Sequence, residues 1–342
     1  MPRANKTYKK SIMLDWLFEK RRGAILGIDL GSSSVKIVEL TREKERVLLT
    51  NYAIAQTKET AVFNIGELRD EEIAKIITDL IKQARISTHR ASISLSVEKT
   101  FSTVITLPAM PEKELGAAVP YEAQKYVPLP LDEVVLDWNI ISVGNGKTSE
   151  MAAKGTTDSI SPMGGNNNAA NEGVSTVQVL LLAVPKDIIT RLTKIAALAK
   201  LELLALEQEA FSLTRALIGN DKSAYVVVDL GRKTTDLIVV DQGFIKMSHN
   251  LDSVSKEIIL MELDRIVNIF QMRYNKKVGQ CLLAGGRANE KELMEFLMTK
   301  LKVPVKVGNP FARVSHDPKT DNFLKELGPQ FSVAVGLAMR EN

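Results

Sequence analysis

Cysteine is all but missing from this 342-residue chain. Cys281 stands alone, so no intramolecular disulfide framework can form, and three scattered histidines (His89, His249, His316) offer no zinc cluster. Residence in a reducing cytosol follows as the expectation. Long apolar runs are lacking too. The longest near the start, Ile12–Phe18, is interrupted by Asp15 and falls far short of the ~20 residues of a membrane helix. It is also a poor leader, because it runs into Lys20-Arg21-Arg22 rather than a small-residue cleavage site. Nor does the body carry a surplus of positive charge. The net charge is +4, but residues 1–22 hold seven Lys/Arg against Asp15 and Glu19, a net +5 that leaves −1 for the other 320 residues. A protein-wide nucleic-acid footprint is thereby excluded.

What is present is the usage of a globular chain with a core: 45% hydrophobic and 25% charged residues, in a length that suits two domains or one two-lobed unit. Ala24–Ile28 and Ser34–Leu40 read as strands around a Gly/Ser turn. Asp70–Ala84 sets Ile73, Ile76, Ile77, Leu80 and Ile81 at helical spacing. Strands follow at Ala91–Val97 and Phe101–Leu107, then a helix over Glu112–Tyr126 that Pro120 must kink or divide. Between strands at Val134–Val143 and Thr176–Val184 lies Gly144–Ser175, where 18 of 32 residues are Gly, Asn, Ser or Thr; such a segment predicts a disordered loop. Helices are expected at Lys186–Lys200 and Glu207–Ile218.

The strongest internal signal is a repeat 200 residues apart. Gly27-Ile28-Asp29-Leu30-Gly31-Ser32-Ser33-Ser34 aligns with Val227-Val228-Asp229-Leu230-Gly231-Arg232-Lys233-Thr234. Each copy is a strand, a turn and a second strand, which implies two related α/β lobes. A glycine turn lets backbone N–H groups approach phosphate oxygens. Ser32, Ser33 and Ser34 add hydroxyls on one copy, Thr234 and Thr235 on the other. Asp29 and Asp229 stand where carboxylates can hold Mg²⁺ through water. Asp and Gly also favour ordinary turns, but the duplication points to two loops clamping a polyphosphate. A third motif follows the strand Val278–Ala284, where Gly285-Gly286-Arg287 opens a helix at Glu290–Lys300 and allows close approach of a ligand.

This order of hairpin, hairpin and Gly-Gly resembles the actin-like ATPase (ribonuclease H-like) fold. The strings GIDLGSSSVKIVEL, VPYEAQKYVPLPLDEVVLDW, LEQEAFSLTRAL, VVVDLGRKTTDLIVV and VGNPFARV together resemble the PilM family of type IV pilus assembly proteins, over roughly residues 24–340. The resemblance implies an ATP- and Mg²⁺-binding protein with Asp29, Gly31, Ser32 and Ser33 in the first phosphate loop and Asp229, Gly231, Thr234 and Thr235 in the second. Gly285, Gly286 and Arg287 would lie beside the adenosine, and Glu209 near the attacking water. It further implies a subdomain inserted in the first lobe that helps hold the cytoplasmic N-terminal peptide of PilN, a bitopic membrane protein. Tyr121, Tyr126, Val127 and Leu129 are the groove candidates. Contact with other pilus platform proteins, and a place at the inner face of the cytoplasmic membrane, complete the expectation.

The implied organisation is a basic amphipathic tail (1–22), a first lobe (23–99), an inserted α+β subdomain (100–201), an inter-lobe helix (202–220), a second lobe (221–327) and a C-terminal helix (328–342). One departure stands out. Between Gly243 and Cys281 the chain lacks the family's Gly-Gly-x-x-Leu-Thr pattern and the helices before Glu262–Tyr274, so the second lobe's small subdomain is reduced and adenine loses contacts. Ile12, Met13, Trp16 and Leu17, flanked by basic residues, fit interfacial binding to anionic lipid or a partner protein, with a flexible solubilising terminus as the alternative. A small-molecule kinase and an FtsA-like filament protein share the fold and remain alternatives.

Overall fold

The structure, a computed structural model, describes residues 23–44, 46–56, 67–144, 175–252 and 255–340. The basic tail and the interior of the expected loop (145–174) lie outside them. Strands β1 (Ile25–Leu30), β2 (Ser34–Glu43) and β3 (Arg46–Gln56) are followed by α1 (Asp70–Gln83) and β4 (Arg90–Leu95). The chain then forms β5 (Phe101–Pro108), α2 (Glu112–Ala123), β6 (Val134–Gly144), β7 (Thr176–Pro185), α3 (Lys186–Leu198), β8 (Glu202–Gln208) and α4 (Glu209–Leu217). The second half runs β9 (Tyr225–Leu230), β10 (Thr234–Asp241), β11 (Phe244–Asp252), α5 (Lys256–Tyr274), β12 (Gln280–Ala284), α6 (Lys291–Lys300), β13 (Val305–Val307), α7 (Asp321–Leu327) and α8 (Ser332–Ala338).

The repeat in sequence is a repeat in topology. One five-stranded sheet runs β3-β2-β1-β4-β8 and the other β11-β10-β9-β12-β13. In both, the first three strands are antiparallel and the last two join in parallel. On its outer face the first sheet packs Leu26, Ile28, Val35 and Ile37 against α1 and α3. The second packs Val226, Val228, Leu237 and Val239 against α5 and α6. Because side chains alternate along a strand, the intervening residues of β1, β2, β9 and β10 face the other way, into a layer shared by the lobes and filled by α4 and α8. The third sheet, β5-β7-β6, closes over α2 as the inserted subdomain and buries Leu115, Val119 and Ala123.

Three local readings change. Pro120 lies inside α2 without dividing it, and the helix stops at Ala123. The helix expected from Glu207 starts two residues later, because Glu202–Gln208 pairs in parallel with β4 as β8. A short apolar run does not by itself distinguish strand from helix. Helix α3, counted with the inserted subdomain from sequence, contributes Ile195 and Ala196 to the first lobe's core beside α1. Arg191 and Lys194 bind Asp70 there, each at 2.9 Å. In the second lobe only residues 253–255 separate β11 from α5, which leaves no room for a small subdomain at that point.

Two glycines set how closely this layer packs. A Cβ on Gly27 would sit 1.9 Å from the Ala334 carbonyl oxygen of α8, and one on Gly336 would sit 2.0 Å from that of Ser212 in α4. Backbone cannot yield as a side-chain tip can, so Gly336→Ala is expected to destabilise the protein by about 1–3 kcal/mol or more in chemical denaturation. Gly116→Ala in α2, with nothing within 4 Å of the new methyl, is expected to be neutral or up to ~1 kcal/mol stabilising. Equal midpoints for the two variants would contradict this account of the packing.

Candidate functional site

Strand register assembles the site. Asp29 is paired with Lys36 across β1 and β2, and Asp229 with Asp236 across β9 and β10. All four lie on the strand faces turned toward the shared layer, and Glu209 is the first residue of α4, which fills it. They line a cleft of about 1120 Å³ between the lobes, together with Gly31, Ser32, Ser33, Gly231, Thr234, Gly285, Gly286 and Arg287. Eleven of the twelve residues read from sequence as nucleotide-binding or catalytic are thus brought together.

Thr235 is the exception. It follows the alternation of Leu237 and Val239 into the second lobe's core, is fully buried, and its hydroxyl finds no partner among the described residues. The helix expected at Glu290–Lys300 is found as α6 from Lys291, with Glu290 at its N-cap and a turn between it and the glycines. Only backbone is available at the two glycines. Gly285 has φ +88°, and a Cβ there would lie 2.4 Å from an Asp229 carboxylate oxygen. Gly286 faces open space. The Arg287 side chain folds back on Glu290 at 2.9 Å.

Sequence reading missed Lys36, whose Nζ binds Asp29 Oδ2 at 2.8 Å, although its place seven residues after Asp29 on a hairpin signals it. It also missed Ser94, which accepts from the Leu30 N–H at 3.1 Å and donates to Asp29 Oδ1 at 3.3 Å. Asp236 accepts from Asn250 at 2.8 Å. Of the groove candidates, Tyr121, Tyr126 and Leu129 are exposed, at 72%, 44% and 41%, whereas Val127 is buried in the core of the inserted subdomain and offers no surface to a partner.

The electrostatics are strained in the absence of a ligand. Burial, then the charge of Asp236, pushes Asp229 up to about 7 against the pull of Lys36. Burial also pushes Asp236 up to about 6, opposed by the Asn250 hydrogen bond. Glu209 is driven well above the usual carboxylate range by burial and by Asp29, Asp236 and Asp229. Burial alone would lower Lys36, but the Asp29, Asp229 and Glu209 charges outweigh it and leave it raised. Carboxylates in this state suit a hard cation. Among the described residues no group of three or more His, Cys, Asp or Glu could hold a metal ion by itself. A magnesium ion carried on a polyphosphate needs one or two carboxylates, with phosphate and water completing its shell, and Asp29 with Asp229 meet that requirement.

A carboxylate raised in the fold favours its protonated form, so its stabilising contribution is complete below the unfolded value near 4 and is lost as pH rises through the folded value. The ligand-free protein is expected to lose stability as pH rises from about 4 to about 7, first through both Asp236 and Asp229 and above about 6 through Asp229 alone. The slope approaches ~1.4 kcal/mol per pH unit where one proton is released. Asp229→Asn should flatten the upper part of that curve in denaturant titrations across pH; an unchanged slope would count against the strain.

The family model for the type IV pilus assembly protein PilM matches residues 27–154 and 253–342. Among solved structures, a chain of the PilM–PilN type IV pilus biogenesis complex superposes with a TM-score of 0.74 at 23% identity, over 94% of this chain and 99% of that one. The ethanolamine utilization protein EutJ from Carboxydothermus hydrogenoformans gives 0.46 at 14% identity, over 92% and 89%. The family match reaches both lobes and covers well over half of the residues: the chain belongs to the PilM family of type IV pilus assembly proteins.

Proposed function

We propose that the protein is a nucleotide-binding adaptor of the type IV pilus assembly platform. It takes ATP with Mg²⁺ between its lobes and, through the inserted subdomain, engages the cytoplasmic N-terminal peptide of a PilN-like bitopic membrane protein, at the inner face of the cytoplasmic membrane. The observation that carries the nucleotide reading is the convergence of Asp29 and Asp229, from two copies of one hairpin, on a single cleft floored by glycine turns. Family membership and the likeness to a chain of the PilM–PilN complex support the pilus reading. Among the described residues no helix is long and apolar enough to cross a membrane; in this reading the membrane is reached through the partner and, where it touches lipid, the basic tail.

In this reading the backbone of the two turns and the hydroxyls of Ser32, Ser33 and Thr234 hold the phosphates. Asp29 and Asp229 orient the water shell of the cation. The Gly285–Gly286 backbone and Arg287 border the adenosine. The bound magnesium nucleotide supplies the counter-charge that the carboxylates lack. Glu209 is placed to orient a water, but a carboxyl that holds its proton is a poor base. Slow hydrolysis at most follows, and the nucleotide serves as a conformational ligand favouring one lobe arrangement.

Calorimetry with ATP and Mg²⁺ is expected to give saturable heat with the wild type, and at least ~10-fold weaker binding with Asp229→Ala, a loss of about 1.4 kcal/mol. No heat from the wild type would make the protein a nucleotide-free scaffold, and turnover above ~1 s⁻¹ would refute the conformational role. Tyr121→Ser combined with Tyr126→Ser should weaken capture of a PilN-type N-terminal peptide while leaving the thermal midpoint in place, since both rings are exposed.

A further inference from the structure

The two copies of the hairpin differ at their tips. Where the first turn carries Ser32 and Ser33, the second carries Arg232 and Lys233, and both pairs line the cleft. The two cations are exposed to solvent and, among the described residues, neither has a hydrogen bond or an ion pair. Of the other cations lining the cleft, Lys99 stands exposed on the first lobe's rim, outside either turn, and three are committed. Lys36 is held by Asp29, Arg287 by Glu290, and Arg191 by Asp70.

The floor of the cleft sets Asp29, Asp229, Asp236 and Glu209 around a single ammonium, that of Lys36, and so offers an anion no net positive charge. Hydroxyls at a turn offer hydrogen bonds but no charge. A guanidinium and an ammonium offer both, and their strength rises with the charge of what they meet. The cost of holding them unpaired on the free protein is small, because exposed cations stay solvated.

We infer that Arg232 and Lys233 are specificity-determining residues that set the cleft's preference for the more highly charged polyphosphate, a nucleoside triphosphate over the diphosphate. The inference rests on the nucleotide-binding reading above and adds a residue-level selector to it. Backbone N–H groups and glycine turns bind any phosphate chain of suitable shape. Arg232 and Lys233 are the free cations carried by a phosphate turn itself, and their contribution grows with each added phosphate charge. In the first copy, the paired Lys36 and the two serines have no such dependence.

Calorimetric titration of the full chain with ATP, ADP and inorganic tripolyphosphate, each with Mg²⁺, tests this on three proteins: the wild type, the double variant Arg232→Ser/Lys233→Ser that copies the first turn, and the charge-keeping control Arg232→Lys/Lys233→Arg. The wild type is expected to favour ATP over ADP. The Ser/Ser variant should lose roughly tenfold of that ratio, about 1.4 kcal/mol, with the loss shrinking as salt is raised, while the control retains it. An ATP-to-ADP ratio that is the same in the wild type and the Ser/Ser variant, with both nucleotides still bound, overturns the inference and leaves the nucleotide reading standing. If the wild type binds tripolyphosphate but no nucleotide, and the Ser/Ser variant loses tripolyphosphate, the selector stands and the nucleotide reading falls. Absence of binding by all three probes overturns both.

Discussion

Strand register and the start of α4 force Asp29, Asp229, Asp236 and Glu209 into one cleft, with Lys36 as the ammonium among them. Like charges in a protein setting repel by roughly 3 kcal/mol even at ~6 Å when the effective dielectric is about 20, so the group cannot be fully ionised and empty at once. The raised proton affinities of Glu209, Asp229 and Asp236 express that strain, which protons relieve as pH falls. A cation-bearing ligand relieves it when bound. The site is therefore a device whose electrostatic state depends on its occupant, which is what a conformational ligand requires.

The layer beneath the cleft is tied together by buried charge and by close backbone contacts. Glu207, two residues before Glu209, is buried and accepts from Arg215 at 2.7 Å, Arg340 at 2.8 Å and Ser212 at 2.6 Å. Burial raises its pKa, but the Arg215 and Arg340 charges prevail and hold it low. This cluster fixes β8 and α4 to Arg340, two residues past α8, and the two close glycine contacts fix α8 to β1 and α4. A buried ion cluster adds little net stability, yet breaking it by removing one partner costs about 3–5 kcal/mol; its worth lies in fixing where Glu209 stands. The inserted sheet joins the same layer. Val104, Ile141 and Leu180 pack in one cluster with Val227 and Ile238 of the second lobe, and Ser102 meets Ser248 at 3.2 Å.

Much of this was legible in the sequence, for identifiable reasons. The Asp-x-Gly repeat announced two equivalent hairpins, and both five-stranded sheets grew from it in the same order. Most site residues were found because turn glycines and hydroxyls have a chemistry visible in single letters. Thr235 was misplaced because hydroxyls were counted without their strand parity, and parity sent it into the core beside Leu237. Lys36 and Asp236 hold equivalent places in the two copies, but their pairing is a property of register, which the letters do not display. The boundary of the inserted subdomain slipped at α3 because its apolar face is the same whether it covers one sheet or another. Val127 was read as groove for a related reason: nothing in a Pro-rich string tells which of its apolar residues turns inward.

The direct passage from β11 to α5 completes the physical picture. With three residues between them, the second lobe provides no added wall at that point to enclose a base, and Gly286 faces open space rather than a packed ring. On the proposed nucleotide reading, a base would meet there only the Gly285–Gly286 backbone and an Arg287 already turned toward Glu290. Recognition would then come mainly from the end of the cleft where the two turns, Asp29 and Asp229, and the cations of the second hairpin meet. A ligand held by its charge rather than by its base is gripped by both lobes at once, because the two turns belong to different lobes. On that reading, the short β11–α5 connection concentrates the ligand's binding energy at the turns, where it would bear on the arrangement of the lobes.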